Sequence, residues 1–277
     1  MKFPMEFDRE IEVASRLARE AGNVILQIYQ TDFVVQFKDK EGPVTEADRR
    51  ASELIVTQLR RKFPNDLVVS EEEPIDPNVT IPSRVWYVDP LDGTHEFIAG
   101  NGEFAVMIGL AIDGRACAGV VYQPTTKQLC AGIARQQAWL EENRERIALR
   151  VSDETDSSRL RLVVSRSHRH RQLDEMRARL GITQELQLGS VGLKVRLLAT
   201  RQADVYIDPS SFTHSWDSCA PEAILHGAGG RLTDVAGAPL RYSPRDLRNT
   251  RGLVATNGLC HEYVITGIAP IVAQAGL

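Results

Sequence analysis

The sequence predicts an α/β protein in which helices and sheets are stacked in layers. Helical and strand-like hydrophobic patterns are mixed along the whole chain, which favours this class over an all-helical or all-strand fold. The 277 residues, 43% of them hydrophobic, suffice for a large core in one domain or two closely joined ones. Two short apolar runs also end in acidic residues, and α/β proteins bind ligands at the carboxyl ends of strands.

The first half of the chain begins with two amphipathic helices and continues as a series of strands. Apolar residues at helical spacing predict helices over 7–29 and 45–63. Thr45 is a candidate N-cap of the second helix, with Asp48 three residues later in place of the usual Glu of a capping box. Between the apolar runs, Asp113-Gly114 predicts a hairpin turn. The predicted strands are 33–37, 67–69, 85–88, 104–112, 116–122, 129–133 and 138–140.

A polar segment at 153–158 is the best candidate boundary between two halves, 1–152 and 153–277. The first half carries most of the candidate metal ligands, and the second contributes Asp217 and substrate-binding residues. Beyond the boundary, predicted strands lie at 160–164, 203–207, near 232 and at 253–255. Predicted helices lie at 173–180, 193–199, 216–226 and at the C-terminus.

Composition argues against several classes of protein. A formal net charge of −4 disfavours a nucleic-acid partner, since such proteins are usually basic. We expect no transmembrane segment, because no apolar run reaches spanning length, and the N-terminus lacks the apolar region of a signal peptide. The four cysteines are scattered without a C-x-x-C pair, which favours reduced thiols in the cytoplasm over disulfides or a zinc site.

The segment Asp89-Pro90-Leu91-Asp92-Gly93-Thr94 is the strongest candidate for a functional site. Two carboxylates and the Leu91 carbonyl in one tight turn offer the oxygen ligands that Mg²⁺ prefers. A lone string of this kind is most often a solvent-exposed turn. Glu71 follows another predicted strand, however, and Asp217 sits at a predicted helix start. Acids at two strand ends and a helix start together predict a metal site.

These segments resemble the inositol monophosphatase superfamily of Mg²⁺-dependent, lithium-sensitive phosphatases. Residues 89–94 with Phe97, and Trp216-Asp217, resemble its two signatures. Residues 70–72 match its first acidic motif and residues 44–48 its early Thr-x-x-Asp helix, in the family's order. The resemblance covers nearly the whole chain. It implies a layered αβαβα sandwich with mixed sheets.

Within the superfamily, the details are most similar to 3′(2′),5′-bisphosphate nucleotidases, which convert adenosine 3′,5′-bisphosphate (PAP) to AMP and phosphate in sulfur metabolism. Glu96 stands where inositol phosphatases typically have Asn, and the segment 216–225 looks close to the animal-type nucleotidases. Residues 101–104 and 165–168 look like the bacterial CysQ-type branch. One departure is Val191, which stands where that branch commonly has a serine before Lys194.

The resemblance implies roles for individual residues. Two or three Mg²⁺ ions would be bound by Glu71, Asp89, the Leu91 carbonyl, Asp92 and Asp217. One ion would activate a water for attack on phosphorus, and Thr94 would help to deprotonate that water. Whether Asp48 or Glu71 orients Thr94 stays open. The implied substrate-binding residues are Gly93, Thr94, Ser167, His168, Ser190 and Lys194.

Two alternatives to PAP hydrolysis are kept. One is an inositol monophosphatase or a fructose-1,6-bisphosphatase-like sugar phosphatase, because these enzymes share the metal ligands. A remote one is a non-catalytic, metal-dependent anion sensor, although a pseudoenzyme should have lost part of the ligand set. The expected partner is a small phosphorylated molecule, and the chain is expected to be a homodimer or a monomer.

Overall fold

In the part of the chain that the structure describes, the polypeptide forms two large sheets, a two-stranded ribbon and seven helices. The computed structural model describes residues 7–38, 42–143 and 145–276. The helices are α1 (Asp8–Tyr29), α2 (Glu46–Lys62), α3 (Thr94–Ile98), α4 (Leu173–Arg179), α5 (Val191–Ala199), α6 (Ser215–Gly227) and α7 (His261–Ala275). A separate two-stranded ribbon is formed by β1 (Val35–Lys38) and β2 (Gly42–Thr45).

The larger sheet has seven strands in chain order. Its first two strands are parallel and all later neighbours are antiparallel. Asp113 and Gly114 both have positive φ, 49° and 72°, as the predicted hairpin turn requires. The strands are β3 (Leu67–Ser70), β4 (Arg84–Asp92), β5 (Ala105–Ile112), β6 (Arg115–Gln123), β7 (Gln128–Ile133), β8 (Gln137–Glu142) and β9 (Glu145–Ala148).

The smaller sheet has five strands in the order β11-β10-β12-β14-β13 and is mixed. Its central strand β12 is parallel to β10 and antiparallel to β14. The strands are β10 (Arg161–Ser165), β11 (Gln184–Leu188), β12 (Val205–Asp208), β13 (Arg231–Thr233) and β14 (Leu253–Thr256).

Five layers result from the way the apolar faces are buried. Helices α1 and α2 cover one face of the seven-stranded sheet. Helices α5 and α6 lie between the two sheets and fill the space with residues such as Leu193 and Ile224. Helices α4 and α7 cover the far face of the five-stranded sheet. The predicted αβαβα sandwich with mixed sheets is therefore confirmed.

Four elements were not predicted from the sequence. The four residues of β9 are all exposed and β11 is mostly exposed, so neither shows the alternation that marks a half-buried strand. Strand β2 contains Pro43, and α3 has only five residues. In addition, β4 does not end at Val88 as predicted but continues to Asp92 through an irregularity in its pairing with β5.

Three further expectations have different outcomes. No helix of the described ranges has both the length and the apolar character needed to cross a membrane. The division of the chain at residue 152 stays a prediction. The expectation that the N-terminus is unlike a signal peptide concerns residues 1–6, which lie outside the described residues.

Candidate active site

Acidic residues from two parallel strands meet at one edge of the seven-stranded sheet. Strands β3 and β4 are in register, with Ser70 opposite Val88. The Glu71 N–H donates to the Val88 carbonyl at 3.1 Å, which places Glu71 beside Asp89. The Asp89 carboxylate turns back on its own loop and accepts from the Leu91 N–H at 2.9 Å.

Gly93 ends the irregular segment and allows the chain to turn into α3. Its φ is 98°, in the left-handed region that favours glycine. A Cβ at this position would lie 3.0 Å from the Glu103 carbonyl oxygen, so a side chain would be strained and crowded. The sharp turn brings the Thr94 hydroxyl back over the segment, where it donates to the Leu91 carbonyl at 3.2 Å.

Asp217 adds a third carboxylate from the opposite layer. It is the third residue of α6 rather than the N-cap, which is His214. The His214 N–H donates to Asp217 Oδ2 at 2.6 Å and fixes the carboxylate. Ligand atoms of Asp89, Asp92 and Asp217 all lie within 4.8 Å of one another. We call these three residues the aspartate triad.

The electrostatics of the aspartate triad suit a cation. Burial raises the pKa of Asp89 well above its ordinary value, and the neighbouring charges of Glu71, Asp92 and Asp217 raise it further. Burial and the Asp92 charge raise the pKa of Asp217 to about 7. Because buried like charges oppose each other's ionisation, a hard cation with oxygen ligands fits this donor set. Glu71 is half-buried and lines the same cavity without belonging to the triad.

Asp92 is held by the start of α5. Its Oδ2 accepts from the Ser190 hydroxyl at 2.5 Å and from the Gly192 N–H at 2.9 Å. Burial raises the pKa of Asp92, and the Lys194 ammonium opposes that rise. Lys194 is itself buried, and Nζ donates to the Gly189 carbonyl at 3.4 Å. Ser190, predicted to bind substrate, is thus engaged with a triad carboxylate.

Thr94 connects the metal-site loop to the start of α2. Its hydroxyl lies 3.0 Å from Asp48 Oδ1 and donates to it. Asp48 Oδ2 accepts from the Thr45 backbone N–H at 2.7 Å and from the Thr45 hydroxyl at 2.6 Å, which confirms the predicted cap. Burial raises the pKa of Asp48, and these hydrogen bonds partly offset the rise.

A cavity of about 370 Å³ opens above the aspartate triad. The rings of His95 and His168 lie on its wall in an edge-to-face contact, with centroids 4.9 Å apart. Burial, followed by the neighbouring His95, lowers the pKa of His168. Ser167 does not line this cavity; its hydroxyl donates to Glu96 at 2.5 Å. Gly93, Ser190 and Lys194 also lie on the cavity surface.

The cavity has further lining residues that sequence reasoning missed. Asp208 ends β12, and the rule that placed Glu71 and Asp89 at strand ends could have found it. The His214 and Trp216 rings are stacked 4.6 Å apart beside Asp217. Phe212 stands 75% exposed at the rim. No local pattern identifies Phe212 or His214, because loop 209–214 joins the cavity only in the folded chain. Trp216 lies in α6 and belongs to the Trp216-Asp217 motif that the sequence already indicated.

Comparisons with known proteins agree with this geometry. The Inositol monophosphatase family matches residues 7–273. The chain is 39% identical over 241 residues to the 3′(2′),5′-bisphosphate nucleotidase CysQ of Salmonella typhimurium, an alignment that covers 85% of this chain and 95% of that protein.

Two solved structures are similar over almost their full lengths. CysQ from Bacteroides thetaiotaomicron is 31% identical, with a TM-score of 0.75 and coverage of 91% of this chain and 98% of that one. An inositol monophosphatase from Anabaena is 26% identical, with a TM-score of 0.78 and coverage of 96% and 97%. The chain belongs to the inositol monophosphatase family.

Proposed function

We propose that this chain hydrolyses the 3′-phosphate of PAP to give AMP and phosphate, with Mg²⁺ as cofactor. The observation that carries the proposal is the aspartate triad at the base of a cavity that also holds a buried lysine. Relatives in bacteria and in Homo sapiens, the latter 29% identical over 280 residues, are 3′(2′),5′-bisphosphate nucleotidases. The names of these relatives favour a nucleotide bisphosphate such as PAP over the other phosphate esters that such a site accepts.

The cofactor would be held by the aspartate triad together with Glu71 and the Leu91 carbonyl. These are oxygen donors, and each lies on the cavity surface. When bound, Mg²⁺ lowers the pKa of a coordinated water and stabilises negative charge on the leaving oxygen. The Ser190 hydroxyl and Gly192 N–H hold the Asp92 carboxylate in place by occupying one of its oxygens.

The hydrogen bond between Thr94 and Asp48 supports a route for the proton of the attacking water. Thr94 Oγ1 accepts that proton while its own passes to Asp48 Oδ1, 3.0 Å away. The water oxygen forms the new bond to phosphorus, and the bond from phosphorus to the ribose 3′-oxygen breaks. A general base must lie within hydrogen-bond reach of the proton it takes, and this contact places Asp48 within that reach of Thr94.

Positive charge and flat rings suit the remainder of PAP. Lys194 supplies a buried ammonium for a phosphate oxygen, and Gly93 and Thr94 present backbone N–H groups at the turn into α3. His168, paired with His95, offers a face or an edge to the base. Val191 stands where the CysQ-type branch commonly has a serine, so it offers no hydroxyl to the substrate. Ser167 acts through Glu96 in this arrangement.

The test is phosphate release with Mg²⁺ on a panel of PAP, inositol 1-phosphate and fructose 1,6-bisphosphate. We expect PAP to have the highest kcat/KM. Equal rates on the three substrates would defeat the nucleotidase assignment and favour a general family phosphatase. Absence of turnover on all three, with metal bound, would favour the anion sensor. Lithium should inhibit the reaction.

The setting of the reaction is also proposed. A cytoplasmic location and a role in sulfur metabolism fit the bacterial CysQ relatives. The partner is a small phosphorylated molecule and not a nucleic acid, because the net charge is −4. A homodimer and a monomer both fit, and sedimentation equilibrium distinguishes them.

A further inference from the structure

A second and larger cavity lies at the C-terminal end of α6, remote from the aspartate triad. Its volume is about 1130 Å³, large enough for a small-molecule ligand. Asp217 lies in the first turn of α6 and His226 in its last turn. His226 follows Asp217 by nine positions along the helix, roughly 13 Å at 1.5 Å per residue. Among the residues that the structure describes, none lines both cavities.

Three arginines line this second cavity, and we call it the arginine cavity. Arg115 starts β6, Arg135 lies in the turn between β7 and β8, and Arg231 starts β13. Within the described ranges, none of the three side chains forms a hydrogen bond or an ion pair. In contrast, Arg84 and Arg161 each hold a buried or half-buried carboxylate.

The three guanidinium groups lie near two side chains of α6, Glu222 and His226. The charges of Arg135 and Arg115 act on the buried Glu222, and those of Arg135 and Arg231 act on His226. Glu222 lies at the base of the cavity, where the Tyr242 hydroxyl donates to it at 2.5 Å. Burial raises the pKa of Glu222 to about 7, so this carboxyl is only partly ionised at neutral pH and offsets part of one of the three arginine charges. Asp113 is the other acid on the cavity wall.

Close packing fixes the loop that carries Arg135. A Cβ at Gly227 would lie 2.3 Å from the Gln137 carbonyl oxygen and 2.9 Å from that of Ile133. The end of α6 is therefore in direct contact with the backbone on both sides of the β7–β8 turn. His226 Nε2 also lies 3.5 Å from the Leu232 N–H, which donates to it and connects α6 to β13. The cavity wall is thus built from tightly joined elements.

We propose that the arginine cavity binds a small anion that carries phosphate or sulfate groups. Guanidinium groups recognise such anions through paired N–H donors. Three of them without carboxylate partners, over a concave surface with a histidine at its base, form a binding site of this kind. The proposal does not depend on the substrate assigned to the aspartate triad.

Cys117 provides a local reporter for this cavity. It is half-buried on the cavity wall, whereas Cys130, Cys219 and Cys260 are buried. The experiment measures the rate of maleimide alkylation at Cys117 by peptide mass spectrometry, with EDTA present to remove metal ions. The probe is sodium pyrophosphate, and potassium chloride of equal ionic strength is the control for screening.

We expect pyrophosphate to slow alkylation of Cys117. At ten times its dissociation constant the rate should fall by about tenfold, since about one molecule in eleven then stays unoccupied. The protection should be lost in the triple variant R115Q/R135Q/R231Q. The control variant R61Q/R150Q/R245Q has the same change of charge on exposed residues elsewhere. In this variant the protection by pyrophosphate should remain. The single variant R135Q should show weaker protection and tests the site without three simultaneous changes.

The outcomes separate clearly. Protection equal to that of potassium chloride overturns the proposal, as does equal protection in wild type and in R115Q/R135Q/R231Q. Far-UV circular dichroism checks that the variants are folded. Phosphate release from PAP is measured separately, so a wrong substrate for the aspartate triad leaves the alkylation result unaffected.

Discussion

Replacement of Asp217 by asparagine should stabilise the metal-free protein although it damages the active site. Asparagine has nearly the same shape, and its side-chain oxygen can still accept the His214 N–H that now donates to Asp217 at 2.6 Å. The substitution removes one negative charge from a cluster whose members lie within 4.8 Å of one another. It therefore isolates the electrostatic cost of the aspartate triad.

The magnitude follows from the pKa of Asp217, which rises from 3.8 to about 7 through burial and the Asp92 charge. A rise of about three units corresponds to about 4 kcal/mol of destabilisation once the pH exceeds the folded-state value. Asp217 stays protonated to a higher pH in the folded protein than in the unfolded chain. Wild-type stability should therefore fall as the pH rises from about 4 to 7. The free energy of unfolding of Asp217→Asn should decrease much less with pH. At pH 8 it should exceed that of wild type by up to about 4 kcal/mol.

The assay is urea unfolding in EDTA at pH 5 and pH 8, compared through the free energy of unfolding. Asp204→Asn is the matched control, because the pKa of Asp204 is shifted in the opposite direction. Burial raises that pKa, but hydrogen bonds from Arg161 and Ser152 outweigh burial and lower it. The control should therefore destabilise at pH 8. Addition of Mg²⁺ should stabilise the wild type more than Asp217→Asn. A metal-free Asp217→Asn that is less stable than wild type at pH 8 would refute the electrostatic reasoning.

Three further results are expected. Asp92→Asn should lower kcat/KM for phosphate release by about a thousandfold or more, a loss of about 4 kcal/mol of transition-state stabilisation, while circular dichroism stays unchanged. Thr94→Val should lower kcat by about a hundredfold or more and Thr94→Ser should retain most activity, because the hydroxyl near Asp48 transfers the proton; equal activity in both variants would contradict this route. Phe97→Ala should cost about 3–5 kcal/mol in urea unfolding, since Phe97 is fully buried against Tyr29 and Phe33.

The sequence predicted most of the architecture because its strongest signals are local. The capping pair Thr45 and Asp48, the Asp113-Gly114 turn and the long helix 7–29 each depend on residues close together in the chain. The exposed strands β9 and β11 escaped prediction because neither strand has a buried face with strand periodicity. What decides their structure is pairing with a neighbouring strand, which the local sequence does not encode.

The candidate site was predictable to a similar degree and for the same reason. Asp89, Asp92 and Asp217 lie in compact motifs, and the structure brings them together. The contact between Asp92 and Ser190 joins residues far apart in the chain, so the prediction of Ser190 as a substrate ligand could not include it. The three arginines of the arginine cavity come from the starts of β6 and β13 and from the β7–β8 turn, and no motif marks them.

The origin of the aspartate triad in two separate layers has a consequence for the newly synthesised chain. Asp89 and Asp92 belong to the edge of the seven-stranded sheet, whereas Asp217 reaches them only after α6 has packed between both sheets. A divalent cation held by all three carboxylates, as proposed above, would therefore distinguish a finished molecule from one still being made. Metal occupancy would thus report maturation, and a stalled or truncated nascent chain would remain inert toward cellular phosphate esters.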